Sequence, residues 1–175
     1  MAQTFLNLAQ GVTGTLSTSN YVQGGITEAD QWRVTSNFSG QANPITSNWE
    51  RNDQTFDKIG TGWSQSSGVF TAPSTGIYYI EFTTTVNHNA DERYIEAILQ
   101  GDNGSVTLAS SYGSIAIDES SATYAHMTSK AIYDITNTSS NSIRCRISRE
   151  HSGGVTDGHS DKNYTYVTML KLGDT

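Results

Sequence analysis

Polar and apolar residues alternate with a period of two along most of the chain after Thr27. That spacing sends successive side chains to opposite faces of a strand. Trp32, Val34, Ser36 and Phe38 share one face of a first strand, with Gln31, Arg33, Thr35 and Asn37 on the other. The strongest run is Ile77 to Val86: Tyr78, Ile80, Phe82, Thr84 and Val86 alternate with Ile77, Tyr79, Glu81, Thr83 and Thr85. Further strands are predicted at 68–71, at 93–100, at 123–135 and at 163–172. Another at 141–149 sets Ile143, Cys145 and Ile147 against Arg144, Arg146 and Ser148. Residues 106–117 read as a weaker pair of strands broken at Gly113. No segment of ten residues carries a capped 3.6-residue period. The pattern predicts an all-β fold of eight to ten strands, a sandwich or barrel.

Residues 1–26 differ. Met1 to Gly25 holds no charged residue and no alternation, and is punctuated by Gly11, Gly14, Gly24 and Gly25. Too few apolar residues are present for a core of its own, so it reads as an extended arm that orders against a partner. Phe5, Leu6, Leu8, Val12 and Leu16 are its candidate anchors. The division is therefore an arm, 1–26, and one β domain, 27–175, a size that one core can serve.

Composition narrows the function. A net charge of −7 over 175 residues repels a phosphate backbone, so nucleic acid is not expected as a partner. No apolar run reaches the length of a membrane span, and the N-terminus lacks the basic-then-apolar form of a secretory signal. The single Cys145 forbids an intrachain disulfide, which fits production in a reducing cytosol. Serine and threonine form about a quarter of the chain and only 15% of it is charged. Such a surface suits contact with other protein more than free solvation.

Little points to catalysis or a cofactor. His151, Asp157, His159 and Asp161 fall in one glycine-rich loop, and Asp91 and Glu92 in another near His88. These are the weak candidates for a metal, but their spacing matches no ligand motif, so both loops are read as solvated. No Gly-x-Ser-x-Gly elbow occurs. The Asp118-Glu119 pair sits in a serine-rich turn, and Cys145 is mid-strand on an apolar face. The expectation is a protein that is not an enzyme and needs no cofactor.

The stretch Gly68-Val-Phe-Thr-Ala-Pro-Ser-Thr-Gly-Ile-Tyr-Tyr-Ile-Glu-Phe82 resembles the central signature of the complement-q and tumour-necrosis-factor (TNF) superfamily. Asn163 to Gly173 resembles its closing strand. The resemblance implies a ten-stranded jelly-roll sandwich assembling as a homotrimer. It places Tyr78, Tyr79, Tyr124, Tyr164 and Tyr166 as candidates for the threefold interface, where tyrosine supplies area with a polar tip. No Gly-X-Y stalk is present. Instead, Gly11-Val-Thr-Gly-Thr-Leu16 with Gly24-Gly25 resembles elements preceding phage tail-fibre tips, and Ala29–Val34 through Asn48–Arg51 resembles jelly-roll proteins of marine phages. The implied role is a phage virion protein made in the bacterial host cytoplasm, decorating or cementing a capsid. Its partners would be its own copies and a major capsid protein or a fibre or tail protein. The alternatives are a tail- or head-fibre tip that grips a host glycan or protein, with Trp32, Trp49 and Trp63 as receptor contacts, and a secreted complement-q-like ligand.

Overall fold

The computed structural model describes residues 25–117 and 121–175; the anchors Phe5, Leu6, Leu8, Val12 and Leu16, and the pair Asp118-Glu119, lie outside them. Among the described residues there are thirteen strands, one 3₁₀ turn and no α-helix. The strands are β1 (Ala29–Val34), β2 (Phe38–Ser39), β3 (Trp49–Arg51), β4 (Lys58–Ile59), β5 (Ser64–Ser66), β6 (Val69–Thr71), β7 (Gly76–His88), β8 (Glu92–Gly101), β9 (Val106–Ile115), β10 (Thr123–Ile135), β11 (Ile143–Arg149), β12 (Val155–Thr156) and β13 (Tyr166–Gly173).

Three of these are two-residue ladders. The other ten form two five-stranded sheets, β3-β1-β13-β7-β10 and β5-β6-β11-β8-β9. Strands adjacent in space are mostly distant in sequence: β1 pairs with β13, and β6 with β11. The two sheets face each other across one core, and the architecture is a jelly-roll sandwich.

The alternation in the sequence decides which side chains enter that core. From β7 come Tyr78, Ile80, Phe82, Thr84 and Val86; from β11 come Ile143, Cys145 and Ile147; all are buried. Phe70 on β6 is fully buried and meets Trp49 edge-on at 5.0 Å and Trp32 at 5.9 Å. Trp63 packs on Tyr78 at 5.2 Å, again edge-on. Edge-to-face pairs at these separations add to the area they remove from water. Phe70→Ala is expected to cost about 3–5 kcal/mol, because two rigid indoles cannot collapse into the space; urea melts of the two proteins check this.

Polar residues close the sandwich at both ends. Asp30 is fully buried and accepts from Arg51 Nε at 3.0 Å, Trp32 Nε1 at 3.1 Å and the Trp63 backbone N–H at 2.6 Å. One carboxylate thus ties β1, β3 and the start of β5 together. The β5–β6 hairpin turns on Ser67 and Gly68, at φ +49° and +79°, the left-handed pair that a two-residue hairpin loop demands. A Cβ on Gly68 would stand 2.1 Å from the Ile45 carbonyl oxygen, so glycine is obligatory there.

One expected break is absent. Residues 106–115 form a single strand, β9, running through Gly113. The glycine marks a close approach instead: a Cβ would meet Met127 Sδ of β10 at 2.9 Å. That approach lets β10 of one sheet lie against β9 of the other and shuts the sandwich along that edge.

Candidate functional site

The outward face of the β3-β1-β13-β7-β10 sheet is built in rows, because antiparallel register brings side chains of four strands level. Ile132, Tyr79, Leu170 and Ala29 form one row. Lys130, Glu81, Thr168 and Gln31 form the next, then Thr128, Thr83, Tyr166 and Arg33. His126 beside Thr85, and Tyr124 beside Asn87, continue it on β10 and β7.

The first row is apolar and opens toward β10: Ala29 is buried at its β1 end, Ile132 is 69% exposed at the other, and Leu172 nearby on β13 is 56% exposed. The second is an ion-pair row. Lys130 Nζ lies 3.2 Å from Glu81, which also accepts from the Tyr79 hydroxyl at 2.6 Å. The Tyr79 hydrogen bond, helped by Lys130 against a partial burial penalty, holds the Glu81 carboxyl below its ordinary range. The third row is knitted by hydroxyls, Thr83 to Thr128 at 3.0 Å. At the far end Tyr124, 64% exposed, and Tyr164, 38% exposed, flank a cleft of about 270 Å³ whose other walls are Thr85 and Asp157. An apolar row, a paired-charge row and an aromatic cleft thus share one sheet face, a mixture of groups found at protein–protein contacts.

The tyrosines expected at the interface divide. Tyr79, Tyr124, Tyr164 and Tyr166 lie on or beside this outward face. Tyr78 does not: it is fully buried, against Trp63, with its hydroxyl donating to the Ser74 carbonyl at 3.1 Å. The reason is elementary, since Tyr78 and Tyr79 are adjacent on β7 and point to opposite faces. Ile132, the most exposed apolar residue in the central rows, is absent from the sequence-derived set. Its alternation with Ala131 and Tyr133 puts it on the same face as Lys130 and Asp134 and could have found it.

Of the three tryptophans expected as receptor contacts, one is corrected. Trp63 is buried in the core. Trp32 and Trp49 are half-buried, packed on Phe70, with Trp32 Nε1 donating to Asp30 and Trp49 Nε1 to the Ile45 carbonyl at 2.7 Å. Trp63 is therefore a core residue, while Trp32 and Trp49 pack on the core and keep part of each ring at the surface.

Four of the six candidate metal ligands, Asp91, Glu92, Asp157 and His159, are engaged in structural hydrogen bonds. Glu92 is buried and paired with the equally buried Arg149, Nη2 to Oε2 at 2.5 Å and Nε to Oε1 at 2.9 Å. Burial opposes its ionisation, but Arg149 and the His151 backbone N–H outweigh that and hold the carboxyl below the ordinary range. The His151 ring lies 5.4 Å from that of His88, and His88 Nδ1 is 3.7 Å from Glu92. Asp91 accepts from the Ile117 N–H at 2.8 Å. Asp157 is buried and accepts from Asn87 and Asn37. His159 accepts from the Asp161 N–H at 2.9 Å and packs on Tyr164. Among the described residues no three His, Cys, Asp or Glu side chains converge as metal ligands. Cys145 is fully buried, and burial pushes its thiol up, away from a nucleophile's range.

Comparison with known proteins speaks to the fold. No protein-family model matches the chain. No curated protein matches it either. Among solved structures, it is similar to the Eiger TNF of S. frugiperda, with a TM-score of 0.62 and 14% identity over 86% of this chain and 96% of that one. It is also similar to murine APRIL, with a TM-score of 0.59 and 15% identity over 83% of this chain and 98% of that one. The fold is a TNF-like jelly roll. Nearly the whole of each neighbour is covered, so the TNF-like jelly roll accounts for the described domain rather than a fragment of it. At this identity, what the jelly roll does must be argued from its own surface.

Proposed function

We propose that this chain is a non-enzymatic structural module that assembles as a homotrimer through the outward face of its β3-β1-β13-β7-β10 sheet, as a surface component of a phage virion. The observation that carries the assembly is the row structure of that face. Ile132, Tyr124 and Leu172 are large side chains left in water on that sheet's outer face, the first two both on β10. A threefold arrangement that sets this face of one copy against the next covers all three in one closed ring. Each large side chain so buried contributes about 1.5–3 kcal/mol.

The virion role is supported by the resemblance of the uncharged arm and of the Ala29–Arg51 stretch to phage proteins. Decoration or cementing of a capsid is the favoured role: an arm free of charge can add a strand to a neighbour's sheet edge. The protein would then be made in the host cytoplasm and end in the particle. Deleting residues 1–24 is expected to leave the trimer intact while abolishing its retention on particles, read by the protein content of purified virions. Normal occupancy without the arm contradicts the anchoring role.

A further inference from the structure

The opposite face of the sandwich, the outward side of β5-β6-β11-β8-β9, carries a different chemistry. Arg144 and Arg146 project from it on β11, two residues and therefore about 7 Å apart. Of the six arginines, Arg33, Arg51, Arg93 and Arg149 are each held by a carboxylate; Arg144 and Arg146 have none within 4.0 Å among the described residues. Arg144 is held only by the neutral side-chain oxygen of Asn103. In both, Nε is buried without a hydrogen-bond partner. Their register neighbours on β8 are Gln100 and Ile98, both buried although they stand on this outward face. The stems therefore lie over Gln100 and Ile98 with Nε sealed beneath, so a ligand on this face would meet the outer guanidinium nitrogens.

The surroundings define the ligand. Glu96, level with Ser148 on β11 and Tyr112 on β9, is a half-exposed carboxylate on the same face. Tyr112 is 69% exposed, and Tyr94 on β8 is 39% exposed. Glu96 beside the Tyr112 hydroxyl pushes that phenol above its ordinary range.

We infer that this face binds an acidic oligosaccharide, with Arg144 and Arg146 taking its anionic groups, Glu96 its hydroxyls and the Tyr112 ring the apolar face of a sugar. A guanidinium is suited to planar, two-point pairing with carboxylate or sulfate. A polyanion without sugar fits less well, because it offers neither hydroxyls to Glu96 nor an apolar ring face to Tyr112. The site does not depend on the trimer, since it occupies the sheet face turned away from the proposed interface.

Calorimetric titration of the purified chain tests the inference, with trigalacturonic acid as the carboxylated probe and a heparin-derived tetrasaccharide as the sulfated one. Maltotriose serves as the neutral sugar and poly-glutamate as charge without sugar. Binding is expected for at least one acidic sugar, with at least tenfold weaker binding to maltotriose and to poly-glutamate. Arg144→Gln with Arg146→Gln is expected to weaken it tenfold or more, and Tyr112→Ala, an exposed change that leaves the core untouched, severalfold. No binding of either acidic sugar at millimolar concentration, equal binding of poly-glutamate, or unchanged affinity in Tyr112→Ala and the double variant would each overturn it.

Discussion

Glu92→Gln is expected to destabilise the folded chain by about 3–5 kcal/mol, a large part of the 5–15 kcal/mol that holds a domain of this kind. The substitution changes almost no volume but leaves the fully buried Arg149 guanidinium charged and without its counter-ion. Arg149 also reaches the Asn87 carbonyl at 3.4 Å, and its Nη1 has no partner even in the native chain, so little else nearby can take up the charge. The cavity is closed over it by Gly154, where a Cβ would fall 1.8 Å from Arg149 Nη2; Gly154→Ala should therefore disturb the same pair from the other side. The pair also carries a pH signature. The Glu92 carboxyl titrates lower in the folded state than its ordinary 4.5. Its contribution is therefore complete above about pH 4.5 and is lost as pH falls through the lower folded value. Denaturant melts from pH 7 to pH 3 should show the native chain losing stability below pH 4.5 and Glu92→Gln losing less over the same interval. Equal stability of the two at pH 7 would remove the ion pair from the account.

Tyr124→Lys with Ile132→Lys is expected to convert the assembled protein to monomers at micromolar concentration while leaving its melting by near-ultraviolet circular dichroism cooperative. Both side chains are more than 60% exposed on β10, so the isolated chain loses little by the change. In the proposed ring each is repeated three times, and each would place an ammonium where an apolar group was buried. That penalty far exceeds the about 1.4 kcal/mol that shifts an association constant tenfold. Tyr78→Lys makes the contrast. Tyr78 is in the core, so that change should unfold the chain and not merely dissociate it.

Much of this architecture was legible in the sequence, because a sheet buried on one face must alternate. The faces of β7, β10, β11 and β13 follow the alternation residue by residue, and the Gly68–Phe82 signature led to the fold that the solved structures bear out. What escaped were consequences of register and approach between strands. Gly113 reads as a break in one dimension but is the point where Met127 crosses it in three. Trp63 looks like an accessible ring in a polar segment until the Tyr78 wall is placed beside it. Arg149 continues the inward series Ile143, Cys145, Ile147, and that continuation was a readable sign of a buried cation needing a carboxylate. The loop reading of Glu92 hid its partner. Likewise, single strands show that Tyr79, Ile132 and Leu170 point outward, but only the pairing of three strands shows them as one row.

The account rests on the outward face of the β10-containing sheet being a contact between copies of the chain. Sedimentation equilibrium of the purified protein at about 1–10 micromolar is the direct measurement. The expected mass is three times the 19.0 kDa chain, falling to a single chain in Tyr124→Lys with Ile132→Lys. A native protein that sediments at 19.0 kDa throughout that range would contradict it.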